Sequence, residues 1–349
     1  MKITVLMGGA SAERNVSLAS GIRIVNALRS RGHEVTAFDP SRGPIDAETE
    51  KQLNENAVGT EPPSLEALAS TTGGSFLPAL ERQPEIAGAD VVFLGLHGGQ
   101  GEDGTIQALL DMAHVTYTGS GLLASALAMD KDLTKRLFRA AGVQTADWAM
   151  VPATIDDIEK QFGLPVVVKP SKQGSTVGLT VVKKREQFDA AVEEALKYDD
   201  EVMIERFIPG REITVGVLGD RVLPVGEIKP KHEIYDYECK YTPGMAEEEF
   251  PAKLSEEETA RVQEQALAAF QALKLGGCAR VDFRLASTDD GAGKNRGEFY
   301  CLEVNTLPGM TELSLIPQGA AALGLSFADL CEEIVRLAVQ RNRPPQAVL

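Results

Sequence analysis

Residues 299–312 read F-Y-C-L-E-V-N-T-L-P-G-M-T-E and set a carboxylate and an amide two positions apart on an expected strand. Side chains at i and i+2 share one face of a strand, so Glu303 and Asn305 project together while Leu302 and Val304 point into the core. Residues 278–285 alternate in the same way, with Arg280 and Asp282 on one face and Val281, Phe283 and Leu285 on the other. If the two strands are neighbours, Asp282, Glu303 and Asn305 offer a cation oxygen atoms only, a set that suits magnesium far better than zinc or copper. Taken alone, either strand is more often half-buried sheet with a charged solvent face than a ligand set.

Working outward, residues 166–178 read V-V-V-K-P-S-K-Q-G-S-T-V-G. Lys169 falls at a strand end, and a loop of small residues follows. Backbone amides freed by glycine, together with the Ser175 and Thr176 hydroxyls, can wrap phosphate oxygens while the lysine neutralises charge. The G-K-[ST] order of a Walker loop is absent, and a polar hairpin turn is the plain alternative. Lys131, after Met129 and Asp130 at a helix start, could supply a second phosphate contact; a surface lysine is otherwise simply solvated.

The chain alternates strand, glycine loop and helix at its start: an apolar run at 3–7, a helical pattern through Val16, Ile22, Val25 and Leu28, strands at 35–38 and 90–96, and a helix at 105–112. That alternation implies a parallel sheet with crossover helices. Residues 41–84 are rich in Pro, Gly, Ser, Thr and Glu with weak periodicity, and read as a peripheral insertion. From residue 129 the pattern changes to short strands (165–169, 177–182, 201–206) and helices (130–141, 186–197), a compact α+β lobe. Strands at 211–218 and 221–225, a polar loop at 231–250, a helix at 255–273 opened by a Ser255/Glu258 capping box, the two oxygen-bearing strands and helices at 317–323 and 326–339 complete the chain. The divisions expected are 1–120, 121–204 and 205–349.

The 349 residues are too many for one ordinary core, and 43% hydrophobic with 25% charged residues is the composition of a folded protein. With 35 basic against 51 acidic residues the net charge is −16, which argues against nucleic acid or an anionic membrane as partner. Cys239, Cys278, Cys301 and Cys331 are widely spaced and indicate neither a zinc site nor a disulfide framework, so a reduced cytoplasm is expected. The run at 3–7 is too short for a signal-peptide core, and no run reaches membrane-spanning length.

G-G-x-S-x-E-R at the start, L-H-G-x-x-G-E-D-G, M-D-K, V-V-K-P-S-x-x-G-S-T-V-G, Y-D-Y-x-x-K-Y, A-R-V-D-F and E-V-N-T-L-P-G-M-T occur in one order along the chain. In this the chain resembles the D-alanine:D-alanine ligases of the ATP-grasp superfamily, over nearly its whole length except 41–84 and the last few residues. The resemblance implies an α/β ATP-grasp fold, with a Rossmann-like N-terminal domain followed by two α+β lobes that sandwich ATP. It implies ligation of two D-alanine molecules through an acyl phosphate, for peptidoglycan precursors, in a cytoplasmic homodimer built through the N-terminal domain. Two magnesium (or manganese) ions would be held by Asp282, Glu303 and Asn305. Lys131 and Lys169 would meet the ATP phosphates, Glu205, Arg206, Phe207 and Ile208 would lie beside the adenine, and Glu212 would take the ribose hydroxyls.

By the same resemblance Arg280 and the Gly309 amide would stabilise the tetrahedral oxyanion, and Glu13, with His97 nearby, would hold the first D-alanine. Ser175, Tyr241 and Glu13 would form a hydrogen-bonded set linking the lid loops, and Ser314 with Lys240 would bind the second carboxylate. His33 and His114 match nothing and read as solvated or structural, and His232 receives no role.

Three other readings compete. A nicotinamide-dependent oxidoreductase lacks its G-x-G-x-x-G here and has only Asp39 as a ribose acid. A non-catalytic ATP-grasp nucleotide sensor has no need of Arg280 beside the three oxygen ligands. A ligase joining D-alanine to D-lactate or D-serine differs only in its second-substrate pocket, and the Tyr237, Lys240, Tyr241 arrangement favours the amine acceptor.

Overall fold

The computed structural model describes residues 1–55, 76–174, 176–235, 237–242, 244–286, 297–312 and 314–341. The first sheet holds β1 (Lys2–Leu6), β2 (Glu34–Asp39), β3 (Gly43–Pro44) and β4 (Val91–Leu94) in the order β3-β2-β1-β4. β1 runs parallel to both β2 and β4, as a crossover helix requires, and β3 adds an antiparallel edge. The crossover is helix Arg14–Ser30, which buries Val16, Ile22, Ile24, Val25 and Leu28 against the sheet. It packs so closely on the strand end that a Cβ on Gly21 would lie 2.3 Å from Met7 Cβ.

Within the stretch read as a peripheral insertion, helix Ala47–Glu55 buries none of its residues and is tied to the crossover helix by an Arg29–Glu50 ion pair of 2.6 Å. The rest of that stretch up to residue 75 lies outside the described residues.

The second sheet is antiparallel: β5 (Trp148–Met150), β8 (Val202–Arg206), β6 (Val166–Pro170) and β7 (Thr180–Val182), in that spatial order. Its valines and isoleucines pack with Ile158 and with Phe188, Ala191 and Ala195 of helix Phe188–Ala195. β8 carries this sheet to Arg206, two residues past the expected division.

The third sheet comprises β9 (Arg211–Leu218), β10 (Arg221–Val222), β11 (Gly226–Pro230), β12 (Ala246–Glu249), β13 (Cys278–Ala286) and β14 (Glu298–Asn305), ordered β12-β11-β9-β13-β14 with β10 on β9. Ile213, Val215 and Val217 of β9 and Val281, Phe283 and Leu285 of β13 turn together toward helix Glu256–Ala272, burying Val262, Ala266, Ala269 and Phe270. That helix begins with the expected capping box, Ser255 with Glu258.

The polar stretch 231–250 differs from the loop expected of it: it contains a short helix, Tyr237–Tyr241, and strand β12. Three glutamates in a row carry no strand signal of their own. β12 is held by its ladder with β11, where Lys229 reaches Glu249 at 2.8 Å and Glu247 at 3.4 Å.

The last helices join the third sheet to the first: Ile316 and Ala320 of helix Leu315–Ala321 share a core with Leu218 of β9 and Cys278 of β13. Leu330, Ile334, Val335 and Ala338 of helix Phe327–Arg341 share one core with Ile3, Val5, Val25 and Leu28. His33 joins that contact through Glu332 at 2.7 Å, a structural part for a residue the motifs left out. No helix among the described residues is long and apolar enough to cross a membrane.

Candidate active site

β13 pairs antiparallel with β14, so the two oxygen-bearing strands are neighbours, with Asp282 opposite Glu303 and Arg280 opposite Asn305. On its other side β13 pairs with β9, which sets Asp282 opposite Thr214 and Arg284 opposite Glu212. Period-two alternation across three strands therefore gives one apolar face for the helix and one polar face for a cleft.

One position breaks the pattern. Asp282 is paired with Glu303 but Phe283 with Cys301, so Leu302 is an extra residue on β14. Such a bulge disturbs the alternation, and Leu302 lines the cleft instead of entering the core, where Phe299, Cys301 and Val304 lie.

The cleft, about 1010 Å³ with the open solvent at its mouth included, lies between the second and third sheets, and its walls include Lys131, Lys169, the run Glu205, Arg206, Phe207 and Ile208, Glu212, Lys240, Arg280, Asp282 and Glu303. The Arg280 guanidinium donates from Nε to both Asp282 oxygens (3.0 and 3.1 Å) and from Nη2 to Oδ2 (2.9 Å), while Thr214 Oγ1 donates to Asp282 Oδ1 at 2.7 Å. Burial works against the Arg280 charge, but Asp282 and Glu303 hold it firmly protonated.

Lys131 Nζ lies 3.3 Å from Glu303 and donates to the Gln173 carbonyl at 2.6 Å. Asp130 caps its helix, accepting the Leu133 N–H at 3.0 Å, and so fixes the lysine at the mouth of the cleft. Burial pushes the Glu303 carboxyl up, yet Lys131, Lys240, Lys169 and Arg280 together bring it down to about 2. Asn305 Oδ1 is buried without a hydrogen-bond partner. An orphaned amide oxygen beside the Asp282 and Glu303 side-chain oxygens fits a hard cation, and these residues would hold magnesium. No group of three or more His, Cys, Asp and Glu among the described residues is arranged for a metal, so the amide is needed to complete the set.

Lys169 Nζ donates to Glu205 Oε2 at 2.7 Å, and Lys135 Nζ lies 2.5 Å from Glu205 Oε1. Burial raises the Glu205 carboxyl, and the two lysines reverse this and lower it to about 2. The Glu205 side chain is thus engaged by two lysines, while the residue still lines the cleft. Glu212 accepts the Tyr235 N–H at 3.3 Å and lies 3.3 Å from Arg284. Arg284 also stands over the Phe207 ring, 5.7 Å from its centroid.

Beyond Glu303 the cleft opens into a smaller pocket bordered by Glu13, Glu102, Gly174, Lys240 and Asn305. A Cβ on Gly98, whose φ is +67°, would sit 2.7 Å from Glu13 Oε2. His97 is buried with both ring nitrogens occupied, Nδ1 by the Leu307 carbonyl (2.8 Å) and Nε2 by Ser20 Oγ (2.9 Å). It therefore has no polar atom to spare for a substrate, which corrects its place among the substrate-binding residues to one of positioning. Glu102 works beside it, accepting the N–H groups of Gly98 (2.7 Å) and Leu307 (3.0 Å). Burial, with Glu13 adding to it, raises the Glu102 carboxyl to about 8.

Gly309 follows on the same loop. A Cβ there would meet Ser314 Oγ at 2.9 Å, and that oxygen already accepts the Thr311 N–H at 3.1 Å. Lys240 Nζ lies 5.5 Å from the Tyr235 ring centroid. Ser175 lies outside the described residues, as does the side chain of Tyr241, which ends the short helix.

Three residues of this region, Lys135, Thr214 and Arg284, lie outside the quoted motifs, and Glu102 lies inside one but received no role. Of the three, Lys135 carried a signal, four residues after Lys131 on one helix and so on the same face. Asp39, the one acid that suited a dinucleotide reading, is buried against Arg14 at 2.5 Å and accepts the Gly9 N–H at 3.2 Å.

Two family models, described as D-ala D-ala ligase N-terminus and C-terminus, match residues 2–120 and 135–336. The chain belongs to the D-alanine–D-alanine ligase family. It is 42% identical to the D-alanine–D-alanine ligase of Syntrophotalea carbinolica, over 98% of this chain and 97% of that one. It is 44% identical to that of Geobacter sulfurreducens, over 96% of this chain and 93% of the relative. Among solved structures, the ligase of Coxiella burnetii superposes with a TM-score of 0.76 at 30% identity, over 97% of this chain and 94% of the other. The Bacillus anthracis ligase complexed with ATP gives 0.74 at 29% identity, covering 98% of both chains. The three sheets are those of an ATP-grasp ligase, and the ligase family fixes which reaction the cleft is to be read against.

Proposed function

We propose that this chain joins two molecules of D-alanine at the expense of ATP, giving D-alanyl-D-alanine, ADP and phosphate for peptidoglycan precursors. The observation that carries this reading is the single cleft where the polar face of β9, β13 and β14 meets Lys131 and Lys169, in a chain that matches named ligases over nearly its whole length.

In this reading one D-alanine carboxylate oxygen attacks the γ-phosphorus as the bond to ADP breaks. The amine of the second D-alanine, having lost a proton, attacks the acyl carbon, and phosphate leaves. Both steps gather negative charge, so fixed cations and donors carry catalysis and no protein nucleophile is required. Lys131 and Lys169 meet the phosphates, the backbone of 205–208 flanks the adenine, and Glu212 takes the ribose. Magnesium or manganese, two ions held by Asp282, Glu303 and Asn305, would neutralise charge on the β- and γ-phosphates.

Arg280, whose Nε and Nη2 are engaged by Asp282, turns Nη1 and its charge to the oxyanion, with the Gly309 amide as second donor. Glu13 receives the first ammonium and Ser314 with Lys240 the second carboxylate. Ser175 and Tyr241 close the lid set with Glu13, and His97 and Glu102 hold the loops on which these groups stand. Because helix Phe327–Arg341 shares the N-terminal core, and Ala124, Ala128, Phe138 and Val143 share the core of the third sheet, we read the lobe built on the second sheet as the part that closes against the rest.

A cytoplasmic location is supported by four buried cysteines with no disulfide among the described residues. A homodimer through the N-terminal domain belongs to the same reading and is checked by sedimentation. The deciding assay couples phosphate release to D-alanine, D-lactate and D-serine as acceptors. Release with D-alanine, and a dipeptide product, is expected; ester formation as the main product, or no turnover with D-alanine, overturns the reading.

A further inference from the structure

Lys135 takes no part in the cleft wall and is fully buried, yet its ammonium is completely used. Around Nζ stand Glu205 Oε1 at 2.5 Å, Thr145 Oγ1 at 2.6 Å and the Ala146 carbonyl at 3.1 Å. The Thr145 hydroxyl donates its own hydrogen to the Cys301 carbonyl at 2.7 Å, so toward Lys135 its oxygen can only accept. Thr145 and Ala146 accept two N–H bonds, and Glu205 Oε1 stands in ionic contact at 2.5 Å, where the lone pair of a neutral amine would meet like charge; burial lowers the lysine's pKa, and the Glu205 carboxylate opposes that. Lys135 is charged where it stands.

Its partner Glu205 spends the other oxygen on Lys169 at 2.7 Å. The result is a row of cation, anion and cation, with the inner lysine sealed from solvent and Glu205 and Lys169 lining the cleft. A lone Lys169–Glu205 pair would be neutral, and its attraction for a polyphosphate would largely cancel. A second cation behind the carboxylate restores one net positive charge at the cleft wall. Burying three charges is a costly way to gain stability alone, since apolar side chains of similar volume usually serve better; a row that ends on the cleft has another use.

We propose that Lys135 is a positioning residue for nucleotide binding, which neutralises Glu205 from behind so that Lys169 is held in place by the carboxylate without losing its charge to it. This rests on the reading that Lys169 meets the ATP phosphates. The test measures binding of magnesium-ATP and of adenosine by calorimetry to the parent and to the K135M, K169M and K135M/E205Q variants, each with a thermal melt.

K135M is expected to weaken ATP on the order of tenfold, the scale of one nearby charge in a partly buried site, and to leave adenosine unchanged. Adding E205Q, which removes the anion as well, is expected to restore ATP binding toward the parent. A merely structural Lys135 would lower ATP and adenosine binding together along with the melting temperature, because an uncompensated buried carboxylate disturbs the fold and not the phosphate site alone. If K169M weakens ATP while K135M does not, or if E205Q fails to rescue, the proposal is overturned and the phosphate role of Lys169 stands. If K169M binds ATP as the parent does, that role falls and the proposal with it. Should K135M not fold, the double variant decides: parent-like ATP affinity supports the proposal, and a loss as large as that of K169M overturns it.

Discussion

Arg280 and Asp282 stand two residues apart on β13 and are joined by three contacts of 2.9, 3.0 and 3.1 Å, so the proposed oxyanion donor and a proposed metal ligand form one ion pair. Neither can be altered without changing the other. Arg280→Lys keeps a charge but loses the fork that grips both oxygens, and loss of one oxyanion donor costs roughly a hundredfold or more in turnover. The same change leaves Asp282 with Thr214 as its remaining partner among these contacts. Turnover should therefore fall while ATP binding changes little, and the double variant with Asp282→Asn should cost less than the two single losses multiplied. Steady-state kinetics on the three variants check this; independent, multiplicative losses would separate the two roles.

Glu303→Gln removes a carboxylate that four cations hold ionised, while keeping its shape. Turnover is expected to be nearly abolished with the fold intact. Phosphate release across a magnesium titration, with circular dichroism as control, is the measurement, and activity within a few-fold of the parent would show the site misassigned.

Glu205 gives a pH prediction. Its carboxyl is lowered from its ordinary 4.5 to about 2 in the folded chain, so the unfolded chain takes up the proton first as pH falls. The stability this supplies is present above about 4.5 and is lost as pH drops toward about 2. Urea unfolding at a series of pH values should show Glu205→Gln losing part of the acid slope seen in the parent. An unchanged slope would mean that the two lysines do not hold this carboxylate.

The contacts that hold the segment around Lys240 include Tyr235 N–H on Glu212, Tyr235 O–H on Glu248 at 2.9 Å and an exposed ion pair of Lys183 with Glu233 at 2.7 Å. Segments held by polar contacts near the surface open readily. Limited proteolysis near Lys240 should slow when ATP, magnesium and a phosphinate mimic of the transition state are added, because a closed lid would shield the acyl phosphate from water. Equal cleavage with and without ligands would rule out closure.

Much of this was legible in the chain because strand alternation and helix capping are local. The shared faces of Arg280 with Asp282 and of Glu303 with Asn305 follow from period two, and the Ser255/Glu258 start of its helix from the capping pattern. The bulge at Leu302 was not legible, because an extra residue on β14 shows only when its pairing with β13 is laid out. Lys135 looks in sequence like any charged helix residue; its burial depends on Glu205 and Thr145, which arrive from elsewhere. β12 hides in a run of glutamates whose strand state is imposed by β11. Helix Phe327–Arg341 was readable as a helix, but nothing in its own residues says that it belongs with β1.

The loop bearing Gly309 is tied down by residues from the far end of the chain. His97 and Glu102 hold the Leu307 backbone, and Ser20 Oγ accepts the Met310 N–H at 3.2 Å. Anyone building hybrids by grafting the first 120 residues of one such enzyme onto the remainder of another must therefore move these three side chains as a set. A donor with other residues at 20, 97 or 102 would leave buried backbone groups without partners, at about 1–3 kcal/mol each, and would loosen a loop that the recipient sequence was never selected to hold by itself.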